Sequence, residues 1–466
     1  MKRQSMLFLS AIALLGLASC NKTNMVQETP DTSNAFTTAT LRASQNSYDA
    51  AAEKPVVTVS GNITSSTTWT ADKVYEISGI VAVVGSKTTL TIEPGTFIKA
   101  KYLGKDANGK PIPSGVLVVT KGTKINAVGT ASNPIVFTSY KLLDKDATTS
   151  PETGDFGGIV LLGKAIVNTP VDKRFIEGID TEKVGADVDV TYGGGDDSDS
   201  SGILKYVRIE YAGYELDTDN EINGLTCGGV GSGTTLSHIQ VSWGQDDAYE
   251  FFGGTVNADH LIAYATDDDS FDFDNGYRGT IRYAVSIANP ASTHSDGKKK
   301  TDTNGIELDN NSSEQDPNFS LQPKTHPTLE YVTIVGTATR EQYKFPKATE
   351  MGDAYKYGAR IRRGGEITLR NAVILGYPKG LVVDGDAHAN VSTFATSYFH
   401  GFEAGISPSP ITGINGRQDV KVGTPAKTFG YKNPFYPAMD FSGAKHTRGA
   451  FVGDATWHKG AWTLYR

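Results

Sequence analysis

The sequence predicts an all-β protein whose main domain is a parallel β-helix with terminal caps and loop insertions. The chain has 466 residues, 51 of them glycine, and long amphipathic helical patterns are hard to find. Short runs that alternate apolar and polar residues end repeatedly at Gly, Asn or Asp. Residues 236–254 and 258–276 are near copies at a spacing of 22 residues. A repeat of this length is typical of one coil of a β-helix.

The first 19 residues have the pattern of a secretory signal peptide. Lys2 and Arg3 precede an apolar run that is too short to span a membrane comfortably. The run ends in Leu17-Ala-Ser-Cys20, which resembles the lipobox of bacterial lipoproteins. This resemblance implies cleavage before Cys20 and attachment of lipid to its sulfur, and simple secretion is the alternative.

Charge and cysteine content restrict the partners. The formal net charge is −8, which disfavours nucleic acid and anionic membranes as partners. With Cys20 lipidated, Cys227 remains as a lone thiol, so no internal disulfide is expected. Residues 20–55 are rich in Thr, Ser, Asn and Ala and are predicted to form a flexible tether. We therefore expect a protein anchored to the cell outer membrane by its lipid, on the periplasmic or the surface face.

Strands are predicted from Val56 onward, with the β-helix over residues 56–430 and a cap over the last coil at residues 431–466. Trp457 and Trp462 lie in that closing segment. Several motifs, together with these tryptophans, are similar to a family of Bacteroidetes lipoproteins that have right-handed parallel β-helix domains. The resemblance covers roughly the whole mature chain and implies the fold and the location, but no activity. The motifs are Leu90-Thr-Ile-Glu-Pro-Gly-Thr96, Ile125-Asn-Ala-Val-Gly-Thr130 and Asp155-Phe-Gly-Gly158.

A polar, Gly-rich insertion is predicted at residues 170–202, as a loop that leaves the coil. After it, strand-like runs recur, and alternation within them predicts which side chains fill the bore. Tyr206, His238 and His260 are expected to point outward. The two histidines alone do not make a zinc site, because no third His or Cys falls in register with them. The predicted bore residues are Val207, Ile209, Ile239, Val241, Leu261 and Ala263.

An acidic ladder is the strongest chemical signal. The 22-residue alignment places Glu250 on Asp272, with Glu307 next and Asp309 near Asp274. Coils lie about 4.8 Å apart, so neighbouring charges repel by roughly 1 kcal/mol in water and several-fold more near a protein surface. Such a column needs compensation. The candidate calcium ligands are Asp246, Asp247, Glu250, Asp268, Asp269, Asp272 and Asp274.

Three interpretations of the ladder remain open. The carboxylates could bind calcium, or they could cap β-turns, since Asp side chains accept hydrogen bonds from turn amides. They could also catalyse polysaccharide cleavage, with Asp269 and Asp272 as acid and base or with Arg278 as the base of a lyase. We predict a non-catalytic binding or scaffold role toward a glycan or protein partner, with calcium stabilising the central coils. A polysaccharide lyase or hydrolase is the alternative.

Overall fold

The structure is a computed structural model. It describes residues 45–104, 115–179, 184–217, 220–288, 303–336, 355–387, 391–407, 415–418, 421–422, 448–452 and 456–465. The predicted signal peptide, Cys20 and most of the predicted tether lie outside these ranges.

Strands dominate the described ranges, as expected for alternating β-branched and polar residues between turns. A helix covers residues 45–52, and short 3-10 turns occur at Tyr140–Leu142 and Val171–Lys173. No helix in the described part of the chain is long and apolar enough to cross a membrane. The strands are β1 (Val56–Ser60), β2 (Thr67–Trp69), β3 (Val74–Ser78), β4 (Ile80–Val83), β5 (Thr89–Ile92), β6 (Phe97–Ala100), β7 (Val116–Val119), β8 (Lys124–Val128), β9 (Ile135–Thr138), β10 (Gly158–Leu162), β11 (Gly202–Glu210), β12 (Glu215–Asp217), β13 (Asn220–Glu221), β14 (Leu225–Val230), β15 (Thr235–Ser242), β16 (Tyr249–Gly254), β17 (Asn257–Tyr264), β18 (Phe271–Asp274), β19 (Thr280–Ile287), β20 (Thr303–Asn304), β21 (Glu307–Leu308), β22 (Thr328–Val335), β23 (Tyr355–Ile361), β24 (Thr368–Arg370), β25 (Val373–Val383), β26 (Thr393–Ala395), β27 (Tyr398–Ser407), β28 (Asn415–Gln418) and β29 (Lys421–Val422).

Within the described residues, 27 strands form one wrapped sheet of parallel pairs, and β12 and β13 form a separate antiparallel pair. Three ladders run along it. The open sheet is centred on β11, β15, β17, β19 and β22, which pair through their first halves. The strap sheet, named for the C-terminal segment that lies along it, is formed by the second halves of the same strands. The acidic sheet is formed by β10, β14, β16, β18, β21 and β23. The predicted parallel β-helix is thereby confirmed.

Left-handed residues form the corner between the open sheet and the strap sheet. Tyr206, His238, His260, Tyr283 and Tyr331 all have φ between 52 and 59°. Each is skipped in the pairing register, so the long strand bends there and pairing resumes on the next sheet. Their rings stack in order, with centroids separated by 4.5, 4.3, 5.1 and 5.3 Å.

The core lies in the bore of the helix. All six predicted bore residues are buried and belong to one apolar cluster. Aromatic rings continue this cluster behind the acidic sheet, where Phe251 stacks on Phe273 with centroids 5.5 Å apart. Apolar side chains alternate with outward carboxylates along β16 and β18, so the packed bore fixes the direction in which those carboxylates point.

The described end of the chain forms the C-terminal strap (residues 448–452 and 456–465), which lies along the strap sheet. Gly449 N–H donates to Asn371 O at 2.6 Å, and Ala450 N–H donates to Thr333 Oγ1 at 2.9 Å. Trp457 packs edge-on against His260, with ring centroids 4.9 Å apart. Residues 431–447 of the predicted cap lie outside the described residues.

Candidate functional site

The acidic ladder is confirmed in register. Glu250 of β16 is paired with Asp272 of β18, and Asp272 is paired with Glu307 of β21. Beyond Glu307 the column continues to Arg360. On the other side of Glu250 the column continues to Thr226 and then to Val160. The acidic sheet therefore carries three carboxylates on consecutive coils, one from each strand.

A second column runs beside the first and brings basic residues to it. Phe252 is paired with Asp274, and Asp309 follows on the next coil. Arg362 donates from Nε to Asp309 at 2.8 Å and also contacts Glu307. Arg363 Nη1 donates to the other oxygen of Asp309 at 2.8 Å. Glu307 and Asp309 are therefore compensated by guanidinium groups.

Two of the predicted ligands serve as turn caps. Asp247 Oδ1 accepts a hydrogen bond from Asp269 N–H at 2.8 Å, and Asp269 Oδ1 accepts one from Asn304 N–H at 2.5 Å. Asn223 and Asn304 occupy the equivalent positions on the flanking coils, and their side-chain amides donate to Glu250 and Glu307, respectively. The central coils carry carboxylates where the flanking coils carry amides.

The Gly-rich insertion folds back onto the acidic sheet. Asn168, two residues before the insertion, donates from Nδ2 to Asn310 O at 2.9 Å and to Pro323 O at 3.0 Å. Tyr192 packs against Phe252, with ring centroids 5.9 Å apart. Four carboxylates of the acidic sheet are deeply buried. Exposed fractions are 7% for Asp247, 5% for Asp269, 8% for Glu307 and 6% for Asp309.

Burial and mutual repulsion raise the pKa values of these acids. Burial, followed by the charge of Asp309, raises the pKa of Asp274 to about 8. Burial, followed by Glu177 of the insertion, raises the pKa of Asp246 to about 7. The same causes place the pKa values of four further carboxyl groups well above their usual range. These are Asp247, Glu250, Asp269 and Asp272.

Carboxyl groups outnumber the cations that contact them. Asp272 Oδ1 is buried and accepts no hydrogen bond from the described residues. Three sets of carboxylate oxygens lie within 4.8 Å of one another, which is compact enough to surround one cation. In the described part of the acidic sheet, the guanidinium groups bonded to this cluster come from Arg362 and Arg363. The sets are Asp246, Asp247 and Asp268; Asp247, Glu250 and Asp272; and Asp269, Asp272 and Glu307.

The predicted catalytic base is engaged elsewhere. Arg278 Nη2 pairs with both carboxylate oxygens of Asp197, at 3.1 and 3.0 Å, and Nη1 donates to Gly276 O at 2.9 Å. Asp197 belongs to the insertion, so this ion pair holds the insertion against the coil. Cys227 is fully buried, and burial raises the pKa of its thiol, as expected for a core residue.

Sequence reasoning missed Arg362 and Arg363 as partners of the acids. Leu308 pairs with Ile361, which places Arg362 directly beside Asp309. Asp309 and Arg362 are 53 residues apart. This pair therefore does not follow the 22-residue spacing that identified the other members of the acidic ladder. The double arginine after a short apolar run was the available signal.

The family match agrees with this fold. Residues 61–462 match the family described as the pectate-lyase-like β-helix domain. No functionally curated protein matches the chain in sequence. Among solved structures, the Dettilon tailspike protein (gp208) is similar with a TM-score of 0.25 and 9% identity, over 78% of this chain and 63% of that one. The chain thus spans less than two thirds of the tailspike chain. From the family match over most of its length, the chain belongs to the pectate-lyase-like β-helix domain family.

Proposed function

We propose that this chain is an outer-membrane lipoprotein with a non-catalytic role, binding a glycan or a protein partner through a β-helix that calcium stabilises. The observation that carries the calcium proposal is the buried excess of carboxylates on the acidic sheet. Hard divalent cations prefer carboxylate and carbonyl oxygens, and calcium tolerates irregular ligand arrangements. Glu250, Asp272 and Glu307 on three successive coils would supply the central ligands, with Asp247 and Asp269 beside them.

Protonation is the competing way to relieve the repulsion. Raised pKa values mean that some of these acids hold protons near neutral pH when no cation is present. A calcium ion would displace those protons, because it binds the ionised carboxylates. Calcium affinity is therefore expected to rise with pH, which distinguishes this site from an exposed acidic patch.

The burial of the acids favours a non-catalytic role. A polysaccharide has to reach the catalytic carboxylates of an enzyme along an open groove, whereas Asp269 is only 5% exposed. Arg278, the predicted base, is already paired with Asp197 of the insertion. Membership in a family named for pectate lyases keeps a polysaccharide lyase or hydrolase as the alternative. Cleavage of an acidic polysaccharide that is lost in Arg278→Ala, with the fold retained, would favour that alternative.

Lipid attachment at Cys20 is the sequence-based part of the proposal. It would place the β-helix at the end of a tether on the outer membrane. Labelling with a radioactive fatty acid in the native host tests this, with Cys20→Ser as the control. Absence of label in both chains would contradict the proposal.

Thermal unfolding of the mature chain in calcium and in excess chelator tests the cation proposal. Calcium at 100 times its dissociation constant is expected to stabilise the fold by about 2.7 kcal/mol. Glu53→Gln is a matched control, because Glu53 is an exposed carboxylate paired with exposed Lys145. It should retain the full shift. No calcium-dependent shift in the native chain would overturn the cation proposal.

A further inference from the structure

A second cluster of ligating side chains lies away from the acidic sheet, at the corner beneath the C-terminal strap. His238 and His260 occupy the same corner position on successive coils, and their rings stack 4.3 Å apart at an interplanar angle of 17°. Both residues have left-handed backbones, so both imidazoles leave the coil in the same direction. Trp462 packs edge-on against His238, with centroids 5.4 Å apart.

Asp259 supplies a third ligand to this cluster. Its Oδ1 contacts His260 Nδ1 and lies 3.8 Å from His238 Nδ1. Ser237 bridges the same atoms, with its Oγ 2.7 Å from Asp259 Oδ1 and 2.8 Å from His238 Nδ1. The ligand atoms of the two histidines and Asp259 lie within 4.8 Å of one another. The pairing of Ser237 with Asp259 across β15 and β17 brings them together.

The donor set differs in chemistry from the acidic ladder. Two imidazole nitrogens and one carboxylate suit zinc and neighbouring transition metals, whereas calcium takes oxygen ligands. Side-chain exposures of 18% for His238, 24% for His260 and 45% for Asp259 leave a path for an ion from solvent.

We propose that His238, Asp259 and His260 form a zinc site that clamps two successive coils under the strap. Zinc bound by three protein ligands commonly completes its coordination with a water molecule. Zinc would replace the contact between Asp259 and His260 with one bond to each residue, and an imidazole that binds through Nδ1 carries its single proton on Nε2. Protons compete with zinc for the ligand atoms, so binding should weaken as the pH falls.

The test is cobalt binding to the mature chain in saturating calcium, which occupies any oxygen-only site. Cobalt serves as a spectroscopic probe of the zinc site. We expect one equivalent of visible absorption bands, abolished by adding zinc. Asp259→Asn keeps the side-chain shape and should weaken cobalt binding by about tenfold or more. His260→Tyr should do the same, and tyrosine is already accommodated at this corner position in Tyr206, Tyr283 and Tyr331.

Asp272→Asn is the control for the acidic ladder and should leave the cobalt spectrum unchanged. Circular dichroism of each metal-free variant establishes that the fold is retained. Absence of cobalt bands in the folded native chain would overturn the zinc site. Bands that persist unchanged in Asp259→Asn and His260→Tyr would also overturn it, leaving these side chains as a hydrogen-bonded support for the strap. Neither result would bear on calcium at the acidic sheet.

Discussion

Gln240 and Leu464, which are 224 residues apart in sequence, are joined by two hydrogen bonds of opposite direction. Gln240 Nε2 donates to Leu464 O at 2.7 Å, and Leu464 N–H donates to Gln240 Oε1 at 2.7 Å. Both residues are buried, at 0% and 1% exposure. The side-chain amide thus satisfies a peptide group of the C-terminal strap, as a neighbouring strand would.

Gln240→Leu should therefore loosen the strap. It leaves the N–H and C=O of Leu464 buried without partners, and each unsatisfied group costs about 1–3 kcal/mol. Chemical denaturation measures the loss of stability. A protonated side chain in Gln240→Glu keeps an acceptor and has an O–H donor, so its loss should be smaller than that of Gln240→Leu. Equal stability of the native and Gln240→Leu chains would contradict the described position of the strap.

Without calcium, stability should fall as the pH rises. The folded-state pKa values of Asp246 and Asp274, about 7 and 8, lie above the ordinary value of 3.8. The folded chain then holds more protons than the unfolded chain between about pH 4 and pH 8, so these groups favour folding at the acidic end and lose that contribution toward pH 8. Melting temperatures in chelator across this range measure the effect. A melting temperature that rises from pH 5 to pH 8 would exclude these acids as the dominant titrating groups.

Asp272→Asn should have opposite effects with and without calcium. In chelator it removes one charge from a column of repelling carboxylates, so the melting temperature should rise. In calcium it removes a ligand, so the calcium-dependent shift should shrink. Differential scanning calorimetry in both buffers measures the two changes. A change of the same sign and size in both buffers would indicate that Asp272 has no part in cation binding.

Asp269→Ala and Asp269→Asn should differ in chelator. Alanine removes the oxygen that accepts Asn304 N–H and leaves that buried donor unsatisfied, which costs about 1–3 kcal/mol. Asparagine keeps an acceptor of the same shape, and Asn223 and Asn304 already occupy the equivalent position on other coils. Urea denaturation of both variants measures the difference. Equal losses would show that the turn-capping hydrogen bond contributes little.

Sequence reasoning worked where the chain repeats without interruption. Glu250 and Asp272 are 22 residues apart in adjoining coils, so one alignment gave their pairing. The same reasoning placed His238 and His260 outward, which is correct, since their side chains are 18% and 24% exposed. The repeat does not indicate which segment covers the outer face of a sheet. The segment that covers these two histidines is the C-terminal strap, some 200 residues later in the chain.

Sequence reasoning missed Asp259 and Arg362 for a similar reason. Asp259 belongs to a site because Ser237 and His238 lie one coil below it, yet a single polar residue in a strand is unexceptional in sequence. Counting only His and Cys as zinc ligands excluded it. Arg362 likewise reaches Asp309 only after a long insertion. Contacts between residues that are separated by loops of irregular length can be identified only from the structure.

The strap has a consequence for how the β-helix unfolds. In most solenoids each coil contacts only its neighbours, so the ends can fray while the middle stays folded. Here Gly449 contacts Asn371 while Leu464 contacts Gln240, and Ala461 O accepts from Arg208. One segment therefore connects coils that are far apart along the axis. Detaching it exposes apolar surface on many coils at once, so unfolding should be cooperative over the whole rod rather than progressive from either end.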